Sequence, residues 1–259
     1  MTPSSAPESD ITLVGIGNIG EQPPEDEFKN PKLTLFNLIN ALKFFYSFKS
    51  LEKKLGVPSQ VLWRYTTLRA TPEKDTAQKI LAKIKELKLV EEAIQRTAAE
   101  KEDLWAVFSN PGVLQLTALK TLDEFKKTID VVLSAPDVYS AALAAMIAAY
   151  MRARLCLPSH TPFAKNVIIE SYINSFGSID AIGLPRKCIP KKSKILIAAS
   201  ILKYDTLSPL LSLVQRIGAE VKGVVALASL EDGELLKNKL PQGIKVLTII
   251  KLDEMNKYK

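Results

Sequence analysis

The feature that most constrains the fold is an almost unbroken apolar run, SKILIAAS, at residues 193–200. A strand that is apolar at successive positions is buried on both faces, as in a parallel sheet covered by helices on both sides. The run is followed by a helical pattern over residues 207–217, which Gly218 ends, and by a second apolar run, EVKGVVALAS, at 220–229. A strand, a helix and a strand in this order predict a parallel pair joined by a helical crossover.

The rest of the C-terminal half follows the same alternation of strands and helices. IDVVLSAP predicts a strand over residues 129–134, and VYSAALAAMIAAYMRARL predicts an alanine-rich helix over residues 138–155. VIIESYINSFGSIDAIGLP predicts two strands around a turn at 176–178, and IKVLTIIK predicts the last strand at 244–251. Together these elements predict an α/β domain with a parallel sheet over residues 128–259.

The N-terminal half has helical spacing instead of strand runs. Apolar residues recur at helix intervals from Leu33 to Ile84, and Gly56-Val57 separates two short helices, with Pro58 at the first position of the second. Further along, SNPG at 109–112 interrupts a second helical stretch. We predict three N-terminal segments: a flexible acidic segment over 1–30, an all-α domain over 31–84, and a helical linker or dimerisation region over 85–127.

Charge is distributed unevenly between these segments. Residues 1–30 hold six acidic residues and one base, whereas residues 31–90 hold twelve bases and four acidic residues, within a chain of net charge +7. A concentration of bases predicts a polyanion-binding surface, and a solvated helical surface is the alternative that charge alone leaves open. The longest apolar run, about 14 residues, is too short to span a membrane, and we expect a soluble cytoplasmic protein with no membrane partner.

Cysteine and histidine content argues against a metal or cofactor site. The chain has two cysteines, Cys156 and Cys188, and one histidine, His160, and no two of them have metal-ligand spacing. We therefore predict no metal of the zinc or iron type. No cofactor is expected either. The two cysteines are expected to be buried thiols, with a disulfide as the alternative.

The two short helices resemble the lambda-repressor-like helix-turn-helix family over about 50 residues. The resemblance rests on Leu55-Gly56-Val57 at the turn, on Leu62 and Tyr65 as inward positions, and on TPEKDTAQKIL at 71–81. The family often has glycine near position 68, where this chain has Leu68. The resemblance implies double-stranded DNA as a partner, and an ordinary small helical bundle is the alternative.

If the second helix enters the major groove, its N-terminal residues face the bases. Gln can then pair bidentately with adenine, and Arg can reach guanine or phosphate. Lysines beside the helix would hold phosphates and position the domain. The implied DNA-contacting residues are Ser59, Gln60, Trp63 and Arg64 on the second helix, with Lys53, Lys54 and Arg69 around it.

Residues 129–251 resemble the Rossmann-like type I phosphoribosyltransferase fold, and among its members the archaeal orotate-phosphoribosyltransferase-like proteins. In that family a strand ends in two acidic residues that hold the ribose, and a Thr/Gly-rich loop and a helix N-terminus hold the 5-phosphate. Aligning Gly218-Ala219-Glu220-Val221 with the family puts Ala198 and Ala199 at the acidic pair and residues 202–206 in the loop. Residues 170–185 resemble the hairpin that covers the base.

The same resemblance places a pyrophosphate-binding loop at DVVLSAPDVY, where Asp137, Val138 and Tyr139 replace the expected glycines. With few glycines, a loop reaches positive φ less easily, and wrapping the backbone around a phosphate becomes harder. The implied ligand-binding residues are Ala135, Asp137, Tyr139, Ala199, Ser200, Lys203, Tyr204, Asp205, Thr206 and Ser208.

Taken together, the two resemblances imply an archaeal DNA-binding transcription regulator. Its phosphoribosyltransferase-like domain is expected to have no catalytic residues, to be no enzyme, and to sense a phosphorylated metabolite such as a nucleotide, a sugar phosphate or phosphoribosyl pyrophosphate. A homodimer is expected, because helix-turn-helix proteins bind two half-sites. Two alternatives remain: an active phosphoribosyltransferase of nucleotide metabolism, and an architectural DNA-binding protein that responds to no ligand.

Overall fold

The predicted α/β fold, with a helical N-terminal region and a parallel sheet, is confirmed. Residue Asn30 is the first described residue, so nearly all of the predicted acidic segment lies outside the described residues, as does His160. The computed structural model describes residues 30–100, 104–125, 129–159, 166–173, 177–229 and 239–251.

The N-terminal half is helical throughout its described residues. Its first helix begins where the sequence supplies a cap, because Asn30 Oδ1 accepts a hydrogen bond from the Lys32 amide at 3.0 Å and Pro31 occupies the first turn. Asn110 caps the last helix in the same way, and the predicted break at SNPG is therefore present. The helices are α1 (Pro31–Leu42), α2 (Phe48–Leu55), α3 (Ser59–Thr66), α4 (Lys74–Glu86), α5 (Leu89–Glu100), α6 (Leu104–Phe108) and α7 (Pro111–Phe125).

Helices α2 and α3 form the predicted pair of short helices around a glycine turn. Ser47 caps α2, and its Oγ accepts from the Ser50 amide at 3.2 Å. Gly56 ends α2 with φ 71°, a left-handed conformation that glycine adopts without a side-chain clash. The two helices pack through apolar side chains that are almost fully buried, among them Leu51 and Leu62.

Within the described ranges, the sheet has five parallel strands in the order β2-β1-β5-β6-β7, and β3 pairs with β4 as a separate antiparallel hairpin. Helix α8 (Val138–Met151) follows β1, and α9 (Tyr204–Ile217) follows β5. The strands are β1 (Val131–Ser134), β2 (Arg154–Cys156), β3 (Val167–Ile173), β4 (Ile179–Pro185), β5 (Lys194–Leu202), β6 (Glu220–Ser229) and β7 (Lys245–Lys251).

Strand β2 was not predicted, and the helix predicted over residues 138–155 is too long. Arg152 adopts φ 52° and ends α8, after which Arg154–Cys156 pairs in parallel with β1. A three-residue strand has too little periodicity to be separated from the end of a helix by sequence pattern. No helix in the described ranges is long and apolar enough to cross a membrane.

The sheet is covered on both faces, as its apolar strands require. Alternate residues of β5 point to opposite sides, with Leu196 in one buried cluster and Ile197 in the other. Helices α5, α7 and α8 cover the first face, and their cluster continues into α1 to α4 without interruption. Helix α9 and the β3–β4 hairpin cover the second face. The division into domains at residues 84 and 127 stays a prediction, since one buried cluster crosses both boundaries.

A disulfide joins Cys156 at the end of β2 to Cys188 after β4. The expectation of two free thiols is therefore wrong, because the fold brings residues 32 positions apart in sequence to a Cα–Cα distance of 5.6 Å. Next to it, Ser159 and Gly183 exchange two backbone hydrogen bonds of 3.0 and 2.8 Å. The hairpin is thus fastened to the sheet edge by a covalent bond and a bridge.

Tyr46 gives the helical half a testable dependence on pH. Burial, and then the nearby Glu92, raise the pKa of Tyr46 to about 12. A phenol whose pKa is higher in the folded than in the unfolded state adds stability below pH 10, and this is lost as pH rises to 12. Between these values we expect wild type to lose more free energy of unfolding than Tyr46→Phe in urea titrations. Equal losses in both proteins would contradict this assignment.

Candidate functional site

Between β1 and β5 the connections of the sheet leave in opposite directions. After β1 the chain crosses through α8 to β2 on one face, and after β5 it crosses through α9 to β6 on the other. Between such strands a crevice opens at their carboxyl ends, which is where ligands bind in open α/β sheets. Here the crevice lies beside Ser134 and Leu202, and most of the predicted ligand residues follow those two positions.

A hydrogen-bonded cluster fills the β1 side of this crevice. Asp137 caps α8, with its Oδ1 accepting from the Ser140 amide at 2.9 Å and its Oδ2 from the Ser140 hydroxyl. Ser200 of β5 donates from its hydroxyl to Asp137 Oδ1 at 3.0 Å and from its amide to Ser140 Oγ at 2.7 Å. Ser140 and Ser200 are both buried, so this cluster locks the start of α8 to β5.

The cluster places a carboxylate of the chain at the positive end of α8. The resemblance puts the pyrophosphate-binding loop at this position. A bound pyrophosphate would therefore compete with the Asp137 carboxylate for the backbone amide donors at the start of α8. Sequence reasoning selected Asp137 and Ser200 but missed Ser140. The spacing of Asp137 and Ser140, three residues apart at the start of a helix, is the signal that predicts such a cap.

The predicted phosphate loop at residues 202–206 is wrong. Strand β5 continues to Leu202, Lys203 alone connects it to the helix in extended conformation, and α9 begins at Tyr204 rather than at 207. The stretch has no glycine. Leu202 and Leu207 are both buried, one on each side of the connection, so the residues between them are too few to form a loop.

The α9 end of the crevice still carries polar groups. Lys203, Tyr204, Thr206 and Ser208 are partly exposed around the first turn of α9, and Asp205 is exposed. No side-chain cap is present at the start of this helix within the described residues. Of the other predicted ligand residues, Ala135 and Ala199 are buried in the core, each 2% exposed, and contribute packing rather than ligand contacts.

An aromatic stack forms at the start of α8, where Tyr139 follows Asp137 by two residues. The ring of Tyr139 lies on Trp105 with 4.8 Å between ring centres, and Phe108 meets Trp105 edge to face at 5.7 Å. Trp105 keeps 49% of its surface exposed. Sequence reasoning selected Tyr139 but missed Trp105, because the two are far apart in sequence.

The β3–β4 hairpin, which resembles the cover of the base, is held against α9 by polar contacts. Glu170 of β3 accepts from the Ser212 hydroxyl at 2.7 Å and from the Arg216 guanidinium at 2.5 Å. Across the hairpin, the Tyr172 hydroxyl donates to Asp180 at 3.2 Å. Burial, together with the Asp180 carboxylate, raises the pKa of Tyr172.

The surface of α2 and α3 brings together most of the residues predicted to contact DNA. Gln60, Trp63 and Arg64 are exposed on one face of α3, at the spacing of one helical turn. The guanidinium of Arg69 lies over the Trp63 ring at 4.7 Å, and Lys53 is exposed on α2.

Two of the predicted DNA-contacting residues have partners within the protein. Lys54 Nζ lies 3.0 Å from both carboxylate oxygens of Glu92 on α5, so a phosphate would have to compete with this ion pair. The amide of Ser59 donates to Glu52 Oε2 at 3.1 Å, which holds a carboxylate at the start of α3. Lys54 therefore connects α2 to α5, and Ser59 connects α3 to α2.

The parallel sheet, its crevice and the attached hairpin together define the fold of type I phosphoribosyltransferases. No family model matches the chain, and no curated protein matches it either. Solved structures do match. The adenine phosphoribosyltransferase from Rhodothermus marinus aligns with a TM-score of 0.53 at 22% identity, covering 62% of this chain and 98% of that chain.

Two further adenine phosphoribosyltransferases agree with the first. The enzyme from Leishmania donovani aligns with a TM-score of 0.51 at 18% identity, covering 58% of this chain and 70% of that one. The enzyme from Trypanosoma brucei, in complex with AMP, pyrophosphate and ribose-5-phosphate, aligns with a TM-score of 0.50 at 16% identity, covering 61% of this chain and 79% of that chain. These similarities show the shared fold.

The expectation that this chain is not an enzyme, which came from the sequence, is wrong. It rested on the absence of an acidic pair at Ala198 and Ala199, whereas the solved structures that share the fold are named as phosphoribosyltransferases.

Proposed function

We propose that the C-terminal half of the chain binds a phosphorylated ribose ligand, such as phosphoribosyl pyrophosphate or a nucleoside monophosphate. The observation that carries this proposal is the crevice between β1 and β5 in a phosphoribosyltransferase fold. At its α9 end, the Lys203 amine and the Thr206 and Ser208 hydroxyls are suitable donors for a phosphate, and they lie at the positive end of the helix.

Phosphoribosyl transfer to a base is the reaction that the structural neighbours favour. Their names describe adenine phosphoribosyltransferases, so adenine is the first acceptor to test. The assay follows pyrophosphate release from phosphoribosyl pyrophosphate with adenine, other purine bases or orotate. Turnover that increases in proportion to the amount of protein supports phosphoribosyltransferase activity. Ligand binding without turnover on any base supports a sensor instead.

Lys203→Ala is expected to weaken binding of the phosphorylated ligand about tenfold, because a hydrogen bond from a charged donor contributes about 1.5–3 kcal/mol. Isothermal titration with phosphoribosyl pyrophosphate measures the change. Lys222→Ala is the matched control, since Lys222 lies near the amino end of β6, away from the crevice. Equal affinity of Lys203→Ala and wild type, or equal loss in both variants, would contradict the assignment.

The second candidate function, which is compatible with the first, is binding of double-stranded DNA by α2 and α3. It is favoured by two short helices that are joined at Gly56. Gln60 and Arg64 are exposed on the second of these helices, and basic side chains lie around that helix. Backbone contacts from Lys53 and Arg69 would position the motif, and Gln60 would read a base edge.

Gln60→Ala is expected to reduce the preference for the bound sequence by about 1–3 kcal/mol, with little change on unrelated DNA. Lys53→Ala serves as the comparison, because loss of a phosphate contact weakens binding to all sequences alike. Fluorescence anisotropy on selected and scrambled duplexes at fixed salt measures both. A uniform loss for Gln60→Ala would show that this residue does not read sequence.

A physical connection between the two proposed sites runs through α5. Glu92 on α5 pairs with Lys54 of α2, and Glu91 pairs with Lys120 of α7 at 2.8 Å. Helix α7 packs on the sheet, so a ligand in the crevice and DNA on α3 are joined by contiguous packing. In a homodimeric regulator, the ligand must change DNA affinity by the same factor as DNA changes ligand affinity. DNA affinity that no ligand alters would favour an architectural DNA-binding protein.

A further inference from the structure

The β3–β4 hairpin has two faces of different composition. Successive residues of a strand point to opposite sides, and residues directly across from each other point to the same side. One face, with Ile168, Ile182 and Leu184, belongs to the second buried cluster together with α9. The other, which we call the outer face, has four cross-strand pairs: Val167 with Pro185, Ile169 with Gly183, Ser171 with Ala181 and Ile173 with Ile179. None of these eight residues carries a charge.

The outer face exposes large apolar side chains to solvent. Ile169 is 54%, Ile173 is 69% and Ile179 is 81% exposed. Single apolar residues scattered over a surface are common, but here three isoleucines lie within one small sheet face. Covering them would remove their apolar surface from water, which is favourable in proportion to the area buried.

The size of the outer face sets how tightly a partner can bind there. Its two strands have seven residues each, so they are about 24 Å long and lie about 5 Å apart. Such a face covers a few hundred Å², whereas each partner of a standard specific interface buries about 800 Å². The outer face can therefore supply the apolar core of a weak, reversible association, which the surrounding surface would complete.

Charge favours a second copy of the same face as the partner. A two-fold dimer places a surface patch against its own copy, so a charged patch repels itself, whereas an uncharged apolar patch is complementary to itself. The chain has a net charge of +7, and two copies therefore repel each other where basic surfaces meet. The outer face is a surface at which two copies can approach without that repulsion.

We propose that two copies of the chain associate through the outer faces of their β3–β4 hairpins, sheet against sheet. Side chains of packed sheets interdigitate at a spacing of about 10 Å, which would bury Ile169, Ile173 and Ile179 of both copies. The Cys156–Cys188 disulfide and the Glu170–Arg216 ion pair hold each hairpin from its other side, so little order has to be gained on association. The pairing does not rest on either proposed function, since neither ligand nor DNA takes part in it.

Sedimentation velocity of the full chain, without ligand or DNA, tests the pairing. Wild type should pass from the monomer mass toward the dimer mass as its concentration rises from micromolar to submillimolar. Ile173→Thr combined with Ile179→Thr should raise the dimer dissociation constant about a hundredfold, because the change removes apolar surface from the interface core of both copies. Threonine is also β-branched, so the strands keep their conformational preference. Added salt should not weaken the dimer, since no ion pair holds its core.

Val138→Thr is the matched control, because it makes the same kind of change at a side chain that is 80% exposed on α8. Helix α8 covers the other face of the sheet, so this variant should dimerise as wild type does. A wild type that stays monomeric over the whole concentration range would overturn the proposal. A dimer that the two threonine substitutions leave unchanged would also overturn it, since its interface would lie elsewhere.

Ser171→Cys provides a second measurement that does not depend on how the threonine variant folds. Both cysteines of the chain are joined in the disulfide, so the new thiol is its only free one. It lies between Ile169 and Ile173 at the middle of the outer face. A short bismaleimide should join two copies of this variant and not two copies of Val138→Cys. Failure to join Ser171→Cys, or equal cross-linking of both variants, would contradict the proposed interface.

Discussion

Gly223→Ala is expected to lower the free energy of unfolding by about 3 kcal/mol, near the upper end of typical overpacking effects. A Cβ at this position of β6 would lie 2.1 and 2.5 Å from two ring atoms of Phe125 and 2.9 Å from the carbonyl oxygen of Lys245. Phe125 ends α7 and is 6% exposed. Neither the ring nor the neighbouring strand can move without disturbing the contact between α7 and the sheet.

Urea denaturation of wild type, Gly223→Ala, Phe125→Leu and the double variant measures this effect as a double-mutant cycle. Because the smaller leucine leaves room for the new methyl group, the double variant should lose less stability than the two single variants combined. If Gly223→Ala were as stable as wild type, or if the two changes were simply additive, the close packing of α7 on β6 would be wrong.

Cys188→Ser is expected to lower the free energy of unfolding by about 3–4 kcal/mol. The disulfide closes a loop between residues 32 positions apart, and in the chain-entropy model a cross-link of this span removes about that much from the unfolded ensemble. The variant also releases the attachment of the β3–β4 hairpin to β2. Hydrogen exchange in β3 and β4 should therefore rise more than in β5 and β6, which lie at the centre of the sheet.

Denaturation of wild type with and without a reductant supplies the matched comparison for this prediction. Reduced wild type should be about as unstable as Cys188→Ser, and adding the reductant to the variant should change nothing. Equal stability of oxidised and reduced wild type would contradict a structural disulfide between Cys156 and Cys188.

The sheet was predictable because its central strands are apolar at successive positions. SKILIAAS and EVKGVVALAS have this pattern, and they form β5 and β6 with residues buried on both sides. The short helices α2 and α3 were predictable from turn chemistry, since Gly56 takes the left-handed conformation and Pro58 precedes the first turn of α3.

The errors lie where tertiary contacts decide the local structure. The pattern around Arg154 is compatible with the end of a helix, and only pairing with β1 makes it a strand. The family's phosphate loop was transferred to residues 202–206, where the buried Leu202 and Leu207 instead shorten the connection to one residue. The pairing of Cys156 with Cys188 depends on the hairpin reaching the sheet edge, a contact between distant parts of the chain.

The candidate site was predicted only in part, because its geometry also depends on tertiary contacts. Asp137 and Ser200 were selected from the resemblance, and the structure shows them in direct contact across α8 and β5. Leu68, a position where the family that α2 and α3 resemble often has glycine, takes positive φ. Trp105 was missed because its contact with Tyr139 joins two helices from different halves of the chain.

The central claim is that the crevice between β1 and β5 binds a phosphorylated ribose ligand, and equilibrium binding to the full chain tests it most directly. Isothermal titration with phosphoribosyl pyrophosphate, AMP and ribose 5-phosphate should show saturable binding of at least one of them, weakened by Lys203→Ala and unchanged by Lys222→Ala. Absence of binding of all three at millimolar concentration, or binding that Lys203→Ala leaves unchanged, would contradict the account.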